Sequence, residues 1–172
     1  MTMTQSTPEP AAAHDGRDHF DFFHGRWAVR HRRLRRRLAG CSEWDTFGGT
    51  TIAMPLLGGL GNVDDNVIEL PAELGGPYRA ASLRCFDPQD RLWRIWWLDG
   101  RWPARLDTPV AGRFEGGVGR FFADETLDGR PIRVRFQWLD TGSASPRWEQ
   151  AFSADGGASW ETNWTMVFDR LA

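Results

Sequence analysis

The sequence predicts an all-β fold: an up-and-down antiparallel β-barrel of about ten strands with a short N-terminal helix. Three observations predict it. Near the C-terminus, Trp148, Gln150 and Phe152 share one face of a strand, and Trp160, Thr162, Trp164, Met166 and Phe168 share one face of the next. Asp155, Gly156 and Gly157 form a tight loop between them, and such period-two alternation marks strands buried on one side only. The same strand–turn–strand pattern recurs back through the chain, and no stretch after residue 25 carries a helical period. A sandwich would use the same strands, but closure into a barrel removes the edges that so many strands would otherwise expose.

The elements follow in order. Residues 1–16 read as a disordered tail, low in apolar content and punctuated by Pro8 and Pro10, and residues 17–172 as a single domain. Asp18 is placed to cap a helical turn carrying Phe20, Phe22 and Phe23, ending at Gly25. Trp27–Leu38 reads as the first strand and Ser42–Met54 as the second, with a bulge or bend expected at Gly48 and Gly49. Further strands fit Asn62–Leu70, Tyr78–Phe86, Leu92–Leu98, Val110–Glu115, Gly119–Leu127 and Ile132–Leu139, followed by the final pair. Turn-rich segments such as Asp87-Pro88-Gln89-Asp90 and Asp128-Gly129 separate them.

Composition narrows the function classes. A net charge of −2 exerts no global pull toward nucleic acid or anionic membranes, and no run approaches the ~18 apolar residues of a membrane span. Two cysteines, Cys41 and Cys85, without a C-x-x-C or a recognisable secretion signal, fit a soluble cytoplasmic protein with reduced thiols. Ten Trp and eleven Phe against one Tyr make the core strongly aromatic. All 21 basic residues are Arg, which a GC-rich genome accounts for and which also suits bidentate capture of carboxylate or phosphate.

Phe23-His24-Gly25-Arg26-Trp27 resembles the G-x-W signature that opens the first strand of calycins, the lipocalin and fatty-acid-binding-protein superfamily. In that superfamily the Trp closes one barrel end against an Arg near the end of the last strand, and Arg170 stands where that Arg would lie. From Asp18 to Arg170 the chain is similar to a bacterial family of uncharacterised calycin-like proteins. The resemblance implies a barrel with an internal cavity and structural roles for Gly25, Trp27 and Arg170; it supplies no activity.

Ser153, Asp155, Gly157, Ser159 and Trp160 match the Asp-box S-x-D-x-G-x-[ST]-W of β-propellers. A propeller repeats the motif at a regular period, and this chain has one copy, so Asp155, Gly157 and Trp160 are assigned to a structural turn. The four histidines, His14, His19, His24 and His31, all lie early in the chain and form no H-E-x-x-H. Barrels of this shape that bind haem use a C-terminal His, absent here, and no metal or cofactor is expected. Gly58-Gly59-Leu60-Gly61 lacks the Lys and following helix of a phosphate loop.

The basic run from Arg30 to Arg37 decides one face of the first strand. If Trp27 and Val29 point inward, so do His31 and Arg33; Arg35, Arg36 and Arg37 are assigned to a solvated strand end. Trp93, Ile95 and Trp97 alternate with Arg94 and Trp96, and Trp138, Trp148 and Trp164 come from other strands. With Trp44, Gln150 and Arg84 they would line an aromatic pocket with a few polar anchors; the alternative is that the indoles fill the barrel as core.

Three functions are expected from this reading. The first is binding of a small, largely apolar or aromatic ligand, with an anionic group met by Arg, in the Trp-lined cavity. The second is isomerase- or cyclase-type catalysis in the same cavity, needing an inward acid or base among His31, Asp65, Glu69 and Glu149. The third is a homodimer through an outer sheet face carrying Trp96, Leu98 and Val167.

Overall fold

In the computed structural model, which describes residues 15–172, ten strands close into one antiparallel barrel. They are β1 (Gly25–Leu34), β2 (Trp44–Leu56), β3 (Gly61–Ile68), β4 (Tyr78–Asp87), β5 (Leu92–Asp99), β6 (Val110–Glu115), β7 (Val118–Leu127), β8 (Arg130–Leu139), β9 (Arg147–Ser153) and β10 (Glu161–Arg170). Each strand pairs with its sequence neighbours, and β10 returns to β1. The ladder between β5 and β6 spans only Trp93↔Gly112 to Ile95↔Val110, the shortest seam in the wall.

One end of the barrel is plugged by the residues that precede β1. Phe20 and Phe23 are fully buried. Phe20 meets Trp93, Phe114, Phe121 and Trp138, and Phe23 meets Trp27, Trp138 and Phe168. The indole N–H of Trp27 donates to the Phe23 carbonyl at 2.7 Å. Arg170, paired across the seam with Trp27, lies 4.1 Å over its ring and donates to the carbonyls of His24 and Phe22, both at 2.8 Å. Gly25 has φ +117°, and a Cβ there would stand 2.7 Å from Arg170 Nη1, so both backbone and packing require glycine. The closing contact implied by the resemblance is thus present residue for residue.

Several local features depart from the sequence pattern. The N-terminal helix is a single 3₁₀ turn, Asp21–Phe23, with no side-chain cap; Asp18 serves it through its backbone carbonyl, which accepts from Asp21 N at 3.0 Å. The tail expected over residues 1–16 lies mostly outside the described residues. Asp15 and Gly16 lie inside them, and the Gly16 carbonyl accepts the Trp93 indole N–H at 2.9 Å.

β1 ends at Leu34, not Leu38. Leu38 and Gly40 take φ values of +52° and +62°, and residues 35–43 fold back across the other end of the barrel. Arg35 anchors that fold by donating to Asp45 at 2.8 Å. No bulge occurs at Gly48 and Gly49, whose ladder with β1 is unbroken. A Cβ on Gly49 would stand 2.5 Å from Val67 O and 3.0 Å from His31 Nε2, so glycine is needed there for close approach.

The bulge falls instead in β10, between Thr162 and Trp164. Thr162 pairs with Ala151 and Glu161 with Phe152, so Trp160 and Thr162 leave the face of Trp164, and Glu161 takes the inward place. The Asp-box before it is a structural turn. Asp155 accepts from Ser159 N and Oγ at 2.8 and 2.6 Å, Ser153 Oγ accepts from Gly157 N at 2.8 Å, and Trp160 Nε1 donates to Gly157 O at 3.0 Å. The Ser159 hydrogen bonds hold the Asp155 carboxyl far below its ordinary range.

Candidate functional site

Above the plug, the interior holds two adjoining spaces. An inner chamber of about 30 Å³ lies against Phe23, Arg84, Trp138, Trp148 and Met166. An outer cavity of about 180 Å³ is walled by Val110, Ala123, Ile132, Val134, Phe152 and Gln150. Ile95, Trp97 and Phe136 line both and form the neck between them. The outer cavity also reaches Asp107 and Thr108, just before β6. There the regular ladder with β5 stops at Ile95, and the contact continues through the Asp107 N to Trp97 O bond at 3.4 Å and the Leu98–Leu106 bridge. The short seam therefore lies beside the cavity's opening.

One wall of the chamber is polar, because β3 turns its polar residues inward. Asn62 pairs with Arg84, Asp64 with Ser82 and Asn66 with Ala80, which leaves Val63, Asp65 and Val67 on the outside. Arg84 and Asp64 are 4% and 2% exposed, and a buried guanidinium at that depth requires a partner. Arg84 Nη2 donates to Asp64 Oδ2 at 2.6 Å and Nη1 to Asn62 Oδ1 at 3.0 Å. Asp64 Oδ1 accepts from Asn66 Nδ2 at 2.5 Å and from Ser82 N at 2.8 Å, while Thr51 donates to Asn66. The Arg84 guanidinium also lies 5.0 Å over the Phe23 ring, tying this belt to the plug.

His31 lies on the interior wall, 3% exposed, stacked 4.8 Å from Phe47. Its Nδ1 accepts the Trp164 indole N–H at 3.2 Å, which leaves the proton of the neutral ring on Nε2. Burial, with Arg33 nearby, lowers its pKa to about 4. The lone pair that would act as a base is occupied by Trp164. Arg33 follows on the same face, 5.5 Å over Phe47 and 5.7 Å over Trp164.

The mouth is built by the folded-back residues 35–43. Arg37 lines the outer cavity with its guanidinium 5.8 Å over Phe152, and its buried Nε has no partner. Burial and the adjacent positive charge of Arg33 hold this guanidinium below its ordinary range, with Arg101 adding to the effect. Glu161, re-aimed by the bulge, accepts from the Leu38 amide at 2.6 Å and pins the segment down. Arg33, Arg36, Arg37 and Arg101 line one cleft outside the mouth. On the opposite side, burial and the neighbouring Glu125 raise the Asp107 carboxyl.

The sequence-derived pocket residues divide accordingly. Arg84, Trp97, Trp138, Trp148 and Gln150 line one space or both. His31, Arg33 and Trp164 form the wall beside them. Trp93 points inward but at the plugged end, its ring against Phe20 and Phe86; it is a plug residue, because its N–H is taken by Gly16. Trp44 lies on the outer face beneath Arg32 at 5.1 Å, since it is an odd number of residues from inward Phe47. Gln150 donates to the fully buried Asn163 at 2.8 Å.

Of the four acid–base candidates, Asp65 pairs outside with Arg79, Glu69 is exposed, and Glu149 faces outward beside Arg147 at 3.8 Å. Only His31 is inside. The sequence pattern hid Arg37, placed on a solvated strand end, and Glu161, and left open which face the polar cluster around Asp64 takes. Asp64 was findable from its Asn62–Asp64–Asn66 alternation opposite Arg84; Arg37 sits on a loop and gave no periodic signal.

The closed ten-stranded antiparallel barrel, with Trp27 locked beneath Arg170, fits a calycin-like fold. No family model matches the chain, and the comparison with curated proteins finds no similar sequence.

Proposed function

We propose that this protein binds a small, largely apolar or aromatic molecule bearing an anionic group, and that it is one of the bacterial calycin-like barrels, acting in the cytoplasm. The observation that carries the binding reading is Arg37. It lies at the mouth of a cavity whose lining mixes apolar side chains with polar ones, its Nε buried and unpartnered, beside two further arginines whose field opposes its charge. An anion placed there relieves both penalties. An apolar cavity of about 150 Å³ holds a benzene ring, so a cavity of about 180 Å³ suits one ring with short substituents. The free cysteines, Cys41 and Cys85, support the reducing compartment.

The test is a tryptophan-fluorescence and calorimetric titration with 3-phenylpropanoate and its neutral analogue 3-phenylpropanol. Trp97, Trp148 and Trp164 make the cavity self-reporting. Saturable binding that favours the carboxylate, with the preference lost in Arg37→Met, supports the reading. Silence from both probes in both measurements at millimolar concentration defeats it.

A second reading concerns the outer surface. Met54, Val63, Leu83 and Trp96 form one row across β2, β3, β4 and β5, with Ile52 and Leu98 in the next. Beside these rows Asp65, in the row of Ile52 and Leu98, and Arg79, in the row beyond, make an exposed pair, so a two-fold-related copy would set each Arg79 against the other's Asp65. We infer a homodimer through this face. Val167 is not part of it, lying between Arg30 and Arg147 on another side of the barrel. Sedimentation at micromolar concentration should give a dimer that Trp96→Glu converts to monomer; a monomeric parent protein would end this reading.

A further inference from the structure

We propose that the ligand carries a hydrogen-bond acceptor, a carbonyl or ether oxygen, at the end that enters first, and that Trp138 Nε1 and Arg84 Nε receive it in the inner chamber. This rests on the reading of the cavity as a ligand site and specifies the chemistry of its deep end.

Trp138 and Arg84 line the same chamber, and the Arg84 guanidinium lies 5.8 Å from the Trp138 ring centre. The indole Nε1 and the guanidinium Nε are both buried donors without partners. Asn62, whose oxygen accepts from Arg84, leaves a third buried donor, Nδ2, unpartnered beside them. The nearby carboxylate is already engaged by other donors: Asp64 Oδ2 accepts from Arg84, and Oδ1 from Asn66 and Ser82 N. The surplus is all of one kind. A buried donor left unpaired is unfavourable by more than a formed hydrogen bond contributes, so this wall selects an acceptor and discriminates against a hydrocarbon of the same shape.

The chamber's size agrees. A volume of about 30 Å³ matches one oxygen or a carbonyl and not a ring, which must stay above the neck of Ile95, Trp97 and Phe136. Along β8, four residues separate Trp138 from Val134, the partner of Phe152 beneath Arg37; that is about 13 Å at about 3.3 Å per residue. A ring with a short anionic arm at one end and an acceptor at the other spans this distance once the reach of the side chains is subtracted.

The decisive measurement compares 3-(4-acetylphenyl)propanoate with 3-(4-isopropenylphenyl)propanoate, which differ in a carbonyl against a methylene of the same shape. The parent protein should bind the acetyl compound at least tenfold tighter. Trp138→Phe should cut that ratio severalfold, while Trp93→Phe, which removes an indole N–H outside the chamber, should preserve it. In the parent protein, the Trp138 indole N–H resonance should move downfield with the acetyl compound alone. Equal affinities with an unmoved resonance overturn the inner anchor, as when ordered water keeps those donors, and leave the cavity reading standing. Absence of binding by both compounds overturns the cavity reading and this inference with it.

Discussion

The two ends of the barrel are finished in opposite ways. At the plugged end, Phe20 and Phe23 fill the lumen, and the N–H groups of Trp27, Trp93 and Arg170 each reach a backbone carbonyl. At the mouth, a folded-back segment is held by Arg35 on Asp45 and the Leu38 amide on Glu161, Arg37 keeps an unpartnered nitrogen, and the β5–β6 ladder is the shortest in the wall. The same barrel thus concentrates aromatic packing at one end and holds the other more thinly, with unpartnered donors both at the mouth, in Arg37, and just above the plug, in Trp138 and Arg84. The difference teaches where substitutions should report on stability and where on binding.

The strongest test of that contrast is Phe20→Ala. It removes a fully buried ring that touches five other aromatic rings and should lower unfolding free energy by about 3–5 kcal/mol in a urea titration. A loss below about 1 kcal/mol would mean that the plug is an accessory to the barrel.

Next in size is the pH response of His31, between the two ends. Its pKa falls from 6.5 to about 4 in the fold, so between those values the unfolded chain binds the extra proton. Stability is fully retained above about pH 6.5 and declines as pH falls toward 4, by about 3 kcal/mol if this group alone titrates. Denaturation curves at both pH values should show the decline, and His31→Gln should flatten it. A smaller loss, about 1–2 kcal/mol, is expected from Arg170→Ala, which removes two hydrogen bonds to carbonyls and the cover over Trp27. At the mouth, Arg37→Met should leave the melting curve within about 0.5 kcal/mol of the parent or slightly above it, while still abolishing the preference for anionic probes.

Much of the architecture was legible because strand alternation survives wherever pairing is regular. Ile132, Val134 and Trp138 on β8, and Trp148 on β9, face inward as their spacing requires. The Gly25–Trp27–Arg170 closure was legible as well, since it depends on residue types fixed at both chain ends. What escaped depended on local departures from period two. The β10 bulge exchanges Thr162 for Glu161, and no residue type announces it. β3 reverses the usual sense of the alternation, placing Asn62, Asp64 and Asn66 inside and valines outside, because a partner for Arg84 outweighs burial of Val63 and Val67. Arg37 was hidden for a third reason: the strand stopped at Leu34, and the positive φ of Leu38 has no signature in a branched apolar residue.

The seam between β1 and β10 also sets an order of events for the nascent chain. Arg170 reaches His24 across 146 residues of sequence, so the lumen cannot be sealed until the last strand has left the ribosome. Until then, β1 and β9 are open edges and the aromatic plug has no complete socket, the condition in which unfinished sheets pair with one another. Refolding should accordingly be slow for a protein of this size, in the millisecond-to-second range of chains dominated by distant contacts. Truncation before Glu161 should yield aggregating material even though nine of the ten strands are present.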